Sequence, residues 1–182
     1  HSGILAKLTL KPAPVNHGIL FKRVDIVTGN PLVRARWDYV SDTTLSTRLK
    51  NEDGTMVSTV EHLMAALAGC GVTNALIELD TEEVPILDGS AALFVKGILE
   101  VGLNHISSSS RIIKIIKPVI FKNEFGWARL SPHKRPEMEY FIEFDDRAIG
   151  IQSKILNMSN GSFVKELCSS RTFCSSKDVE PM

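Results

Sequence analysis

The chain has 182 residues, 43% hydrophobic and 23% charged, with Lys+Arg and Asp+Glu equal at 21 each. Balanced charge leaves no basic footprint for nucleic acid. The longest apolar run, 112–121, is interrupted by Lys114, Lys117 and Pro118, so no helical bilayer span is expected. Three cysteines, Cys70, Cys168 and Cys174, fit neither a disulfide framework nor a zinc ribbon and point to a reducing compartment. No secretory leader pattern is visible. The chain opens at His1 and closes on SSKDVEPM without a closing element, so both ends read as cut.

The first part is strand-rich. ILAKLTL and VRARWDYV alternate in polarity, with Val33, Ala35, Trp37 and Tyr39 on one side, and TTLSTRL suits a further short strand. NEDG at 51–54 is a turn signal. A helix follows, with Ser58 as N-cap and Glu61 three residues later in a capping-box pattern. Val60, Leu63, Met64 and Leu67 form its apolar stripe, and Gly69 and Gly71 stop it. VTNALIEL predicts a buried strand and EVPILDGSA a turn. A second helix is predicted from about Ser90 to Val101 with Phe94, Ile98 and Val101 on one face. NHISSSS at 104–110 is a polar linker. Beyond it RIIKIIKPVIF, GWARLSP and EYFIEF predict antiparallel strands, GSFVKELCSS a short helix, and RTF a strand or loop. The fold class is α+β, helices covering one face of a sheet, with domains at 1–106 and 107–182.

Glu61 and His62 raise the chemical question. Spacing alone favours a capping glutamate and a packing histidine. Against that, His62 lies off the apolar stripe, on a face with Ala65, Ala66 and Gly69, where small side chains leave room for an approaching group. A neutral imidazole suits zinc, and an adjacent carboxylate can take a proton from metal-bound water. The two-histidine helix motif is absent, because position 66 is alanine. In EVPILDGSA, Asp88 suits a cap for the next helix. In SSRTF, Thr172 offers a hydroxyl to an oxyanion and Arg171 a cation for phosphate or carboxylate. His133 and Glu137 are spaced as on a helix, but Pro132 and Pro136 make a solvated turn the better reading.

Together, STVEHLMAALAGCGVTNALIELDTEEVPILDGSAALFVKGI and the later SSRTF with DVE closely resemble the zinc-dependent UDP-3-O-acyl-N-acetylglucosamine deacetylases of lipid A synthesis. The resemblance covers essentially the whole chain and is most specific over 57–98. It implies two similar α+β domains packed face to face, the second incomplete here, with the active site in the cleft between them. It implies Zn2+ as cofactor, His62 as a zinc ligand and Glu61 as the general base that activates the attacking water. It matches Thr172 to the hydroxyl that holds the tetrahedral oxyanion, and Phe173 to an aromatic residue near the sugar and acyl chain. Leu45 and Ser46 align with a substrate loop approaching the metal, where relatives often carry cysteine at the Ser46 position. Ser175 and Ser176 are small and polar where relatives line an acyl passage with bulky side chains.

His62 is the one histidine in a credible ligand position. The family's remaining ligands, and a histidine acting as general acid, would follow Met182. The expectation is therefore a deacetylase fragment that binds zinc poorly and turns over little by itself. The implied substrate is UDP-3-O-acyl-N-acetylglucosamine, in the cytoplasm near the inner membrane, with a monomer favoured. The competing expectation is a non-catalytic relative that keeps the fold as a nucleotide-sugar or protein binding module. Fusion to another lipid-synthesis enzyme is a third.

Overall fold

Alternation in the segment Ala75–Leu79 sets the centre of the fold: Ala75, Ile77 and Leu79 are buried, while Leu76 and Glu78 are half-buried. A strand with this pattern has one face for a core and must lie inside a sheet. The computed structural model describes residues 2–109, 112–159 and 161–174. It confirms a mixed α+β structure. His1, Ser175, Ser176 and the DVE segment lie outside the described residues.

In chain order the strands are β1 (Leu8–Pro12), β2 (Ile19–Arg23), β3 (Leu32–Arg34), β4 (Val40–Asp42), β5 (Arg48–Lys50), β6 (Met56–Val57), β7 (Ala75–Leu79), β8 (Val119–Lys122), β9 (Trp127–Leu130), β10 (Glu137–Glu143) and β11 (Ile151–Asn157). The helices are α1 (Glu61–Gly69) and α2 (Ala92–Val101). The main sheet runs β1-β7-β2-β3: β7 is antiparallel to β1 and parallel to β2, and β2 is antiparallel to β3. A second sheet, β4-β5-β6, is antiparallel.

The core forms where α1 and α2 meet the main sheet. Phe21, Val33, Ile77 and Leu79 from the strands pack with Leu63 and Leu67 of α1 and with Val95 and Ile98 of α2. Each fully buried side chain of this size contributes about 1.5–3 kcal/mol. The buried Asn51 is satisfied within the NEDG turn: its Oδ1 accepts the Thr55 amide at 2.8 Å, and its Nδ2 donates to the Asn30 and Leu32 carbonyls, each at 3.0 Å. At the end of α1, Val72 N–H donates to Leu67 O (2.8 Å) and Gly71 N–H to Ala68 O (3.1 Å). These two bonds make a Schellman motif around Gly71, at φ +75°.

Several local expectations are corrected. VRARWDYV is not one strand: β3 ends at Arg34, and a 3-10 turn at Trp37–Tyr39 leaves Trp37 82% exposed. TTLSTRL is a loop that becomes strand only at Arg48. The capping box is not formed: α1 begins at Glu61 without a side-chain cap, and the Ser58 hydroxyl faces the Glu82 carbonyl instead. In α2 the buried positions are Val95 and Ile98, and Val101 is exposed. IQSKILN, not anticipated as a strand, is β11.

Beyond the linker, β8–β9 and β10–β11 are separate antiparallel hairpins. Ile120, Phe121, Trp127, Tyr140, Phe141 and Ile155 on them are exposed, so among the described residues the hairpins bury little apolar surface. The short helix is present as a π-helical turn, Phe163–Leu167, and it packs on the first part: Phe163 and Cys168 belong to the core that holds α1.

Candidate active site

The loop before β5 and the start of α1 are tied reciprocally. The Thr47 amide donates to Glu61 Oε2 at 3.1 Å, and the Val60 amide donates to the Thr47 carbonyl at 3.4 Å. The Glu61 carboxylate therefore reaches across to the loop, which leaves Leu45 and Ser46 beside the helix start. Leu45 sits at φ +59° and is 63% exposed, while Ser46 is half-buried. His62 follows Glu61 on the first turn, half-buried, and its ring makes no hydrogen bond among the described residues.

The small-residue face shared by His62, Ala65, Ala66 and Gly69 has a different use at its far end. A Cβ at Gly69 would overlap the Phe163 ring, so what approaches there is the π-helical turn. His62 itself lies about two turns nearer the helix start, and Ala66, between it and Gly69, is buried in the core.

Thr59, just ahead of the helix, is 2% exposed and sits at φ +57°. The left-handed region costs a residue with a Cβ roughly 1–2 kcal/mol. Its hydroxyl donates to Glu83 Oε1 at 2.9 Å, and Glu83 Oε2 accepts the Ser2 amide at 2.7 Å. Burial works to raise the Glu83 pKa, but hydrogen bonds, first from the chain's terminal amino group and then from Ser2 and Thr59, overcome it and bring it to about 2. Backbone bonds run alongside: Ser58 N–H to Glu82 O at 2.9 Å and Val84 N–H to Ser58 O at 3.1 Å.

The chain then turns through Asp88–Ser90. Asp88 Oδ1 accepts the Ser90 amide (3.1 Å) and hydroxyl (2.8 Å), and Ser90 Oγ accepts the Ala92 amide (3.1 Å). Ser90, not Asp88, thus bonds the first turn of α2, and Asp88 orients Ser90. The Ser90 hydrogen bond also holds the Asp88 carboxyl below its ordinary pKa. The same turn receives the SSRTF segment: Thr172 N–H donates to Gly89 O at 2.8 Å, and the Arg171 guanidinium lies 3.6 Å from Asp88 Oδ2. Thr172 and Phe173 are exposed and have no regular structure around them. The Phe173 ring stands edge-on to Phe144, centroids 5.5 Å apart.

The structure thus brings Leu45 and Ser46 to Glu61 and His62, and joins Thr172 to the turn that continues from Glu83. Among the described residues no hydrogen bond links Thr172 or Phe173 to Glu61 or His62. The family described as UDP-3-O-acyl N-acetylglycosamine deacetylase matches this chain over residues 1–182.

The chain belongs to that family. Curated relatives named UDP-3-O-acyl-N-acetylglucosamine deacetylase are similar to it along its length. The one from Idiomarina loihiensis is 43% identical over 99% of this chain and 59% of its own. The one from Shewanella halifaxensis is 42% identical over 99% and 59%. The one from Pseudoalteromonas atlantica is 41% identical over 100% and 60%. The chain therefore spans about 59% of the length of the curated deacetylases it matches.

Among the described residues no group of three His, Cys, Asp or Glu side chains is placed to hold a metal ion. A catalytic zinc takes about three protein ligands, so His62 with Glu61 beside it does not make a metal centre from these residues alone. No described helix is long and apolar enough to cross a membrane. A cavity of about 1130 Å³ lies elsewhere, between β1, the end of α1, α2 and the linker. Leu8, Leu63, Phe94 and Ile98 line it together with Lys11, Cys70 and His105, and no described carboxylate is among its lining residues. Thr47, Thr59 and Glu83 were not singled out by sequence reasoning. Glu83 stands within a quoted turn motif, but its bond to Thr59 crosses 24 residues and leaves no local pattern.

Proposed function

We propose that this chain supplies the general-base side of a site that hydrolyses the N-acetyl group of UDP-3-O-acyl-N-acetylglucosamine, releasing acetate in lipid A biosynthesis. The observation that carries the reading is the Glu61–His62 pair at the start of α1, its carboxylate steered by the Thr47 amide, in a chain matched along its whole length by the deacetylase family.

An acetamide is a weak electrophile, so the site must activate water and absorb charge on the carbonyl oxygen. Glu61 takes the proton of the attacking water, a step worth about 10²–10⁴ in rate; the C–N bond then breaks as the sugar nitrogen takes a proton from a general-acid histidine in the remainder of the full-length protein. Thr172 donates its hydroxyl to the developing oxyanion. Phe173, with Leu45 and Ser46, contacts the sugar and the start of the acyl chain. His62 serves as one zinc ligand, with the other ligands drawn from the remainder of the full-length protein. The ion supplies Lewis acidity for amide hydrolysis.

In this reading residues 1–106 and 107–182 belong to two domains, the second completed by further chain. The isolated chain holds zinc poorly and is inactive. The enzyme works in the cytoplasm near the inner membrane. The test is acetate release from the UDP-sugar by the full-length protein that carries this chain, with and without zinc. Glu61→Gln is expected to lower kcat by about 10² or more with the fold intact. Full activity of Glu61→Gln removes Glu61 as the base. No acetate release by the unaltered full-length protein favours the binding-module alternative.

A further inference from the structure

Thr59 is buried and β-branched, and it occupies the left-handed region two residues before Glu61 and three before His62. Such a conformation persists only where the surroundings over-determine it. Here they do. The backbone of Ser58 bridges the 82–84 segment on both sides, and the Thr59 hydroxyl reaches Glu83 Oε1 at 2.9 Å. Helix α1 has no side-chain cap of its own. The direction in which its first turn leaves the sheet therefore depends on this anchored turn and on the Thr47–Glu61 bond. The same carboxylate accepts the Ser2 amide at 2.7 Å, so Glu83 joins the opening segment, the turn before α1 and the 82–84 segment.

We infer that Glu83 is a positioning residue of the candidate site: by accepting the Thr59 hydroxyl it holds the left-handed turn that aims Glu61 and His62. The inference rests on the proposed deacetylation. A small rotation at Thr59 swings both side chains together, and misplacement of a reacting group by about 1 Å costs up to about 10² in rate without a matching loss of binding.

The test uses the full-length protein and follows kcat, KM and thermal unfolding. Glu83→Ala is expected to lower kcat by about tenfold or more, with KM changed by less than about twofold. Glu83→Gln, which keeps a carbonyl acceptor for the hydroxyl, recovers most of that loss. Thr59→Gly relieves the backbone strain and folds, yet loses kcat like Glu83→Ala. Thr59→Ser keeps the hydroxyl and stays near the parent. The double variant Thr59→Gly/Glu83→Ala loses no more than the worse single variant, since both remove one bond.

Unchanged kcat in Thr59→Gly, or additive losses in the double variant, overturns the inference. Where Glu83→Ala does not fold, Glu83→Gln and the two Thr59 variants decide. An unaltered full-length protein that releases no acetate overturns the deacetylase reading and this inference with it. An active parent with active Thr59→Gly overturns this inference alone.

Discussion

The Thr172 amide donates to the Gly89 carbonyl across 2.8 Å, and beside it Arg171 faces Asp88 at 3.6 Å. Two adjacent residues late in the chain are thereby clipped to two adjacent residues of the turn that opens α2. The Arg171 side chain is 70% exposed, so water screens its ion pair with Asp88. The backbone bond and the shape of the turn set the geometry.

Gly89 is at φ +79°, and a Cβ there would meet the Thr172 Cγ2 at an ordinary 3.6 Å. The strain of Gly89→Ala is therefore conformational, about 1–2 kcal/mol. Urea unfolding of the full-length variant measures it. A variant as stable as the parent would show that this turn is not left-handed.

Gly69→Ala has the opposite cause. Its backbone is helical, where alanine ordinarily gains about 0.5–1 kcal/mol, but the new Cβ collides with the Phe163 ring. A net loss of about 1–3 kcal/mol is expected, shrinking in a Phe163→Leu background. A stabilised Gly69→Ala would mean that the π-helical turn does not pack on α1.

Thr172→Val keeps the shape and the backbone bond to Gly89 but removes the hydroxyl. Under the proposed mechanism, kcat for acetate release falls by about 10², and the unfolding temperature stays within about 2 °C of the parent. An equal loss in KM with kcat unchanged would assign Thr172 to substrate binding alone.

Acid sensitivity follows from Glu83. In the 182-residue chain its folded pKa, about 2, lies below the ordinary 4.5, lowered first by the chain's own terminal amino group and then by Ser2 and Thr59. The stabilisation is fully present above the unfolded value and is lost as pH falls from about 5 towards 2, where the folded group also protonates. Glu83→Gln is expected to flatten the fall in stability across that window, read as unfolding midpoints at successive pH values. Parallel pH profiles for the two proteins would exclude Glu83 as a contributor.

Local elements were legible in the sequence: the buried strand within VTNALIEL, the turn at NEDG and the glycine stop of α1 each rest on neighbours in the chain. The capping box misled because Ser58 and Glu61 have stronger partners elsewhere: Ser58 bridges to Glu82–Val84, and Glu61 bonds the Thr47 amide. Trp37 misled because alternation in VRARWDYV continues past the end of β3 into a 3-10 turn. Both are local patterns overruled by contacts that pattern reading does not include.

By itself the sequence determined the α+β class, the stretch that becomes α1, and the adjacency of Glu61 and His62, because each depends on residues within a few positions of one another. Tertiary structure alone decided that Thr47 steers Glu61, that Glu83 anchors a left-handed Thr59, and that Phe163 needs Gly69 bare. These contacts join residues 14 and 24 apart, and in the last case two different helical segments. A hydrogen bond or a close approach across such separations depends on how the sheet and helices pack, which no repeat along the chain encodes.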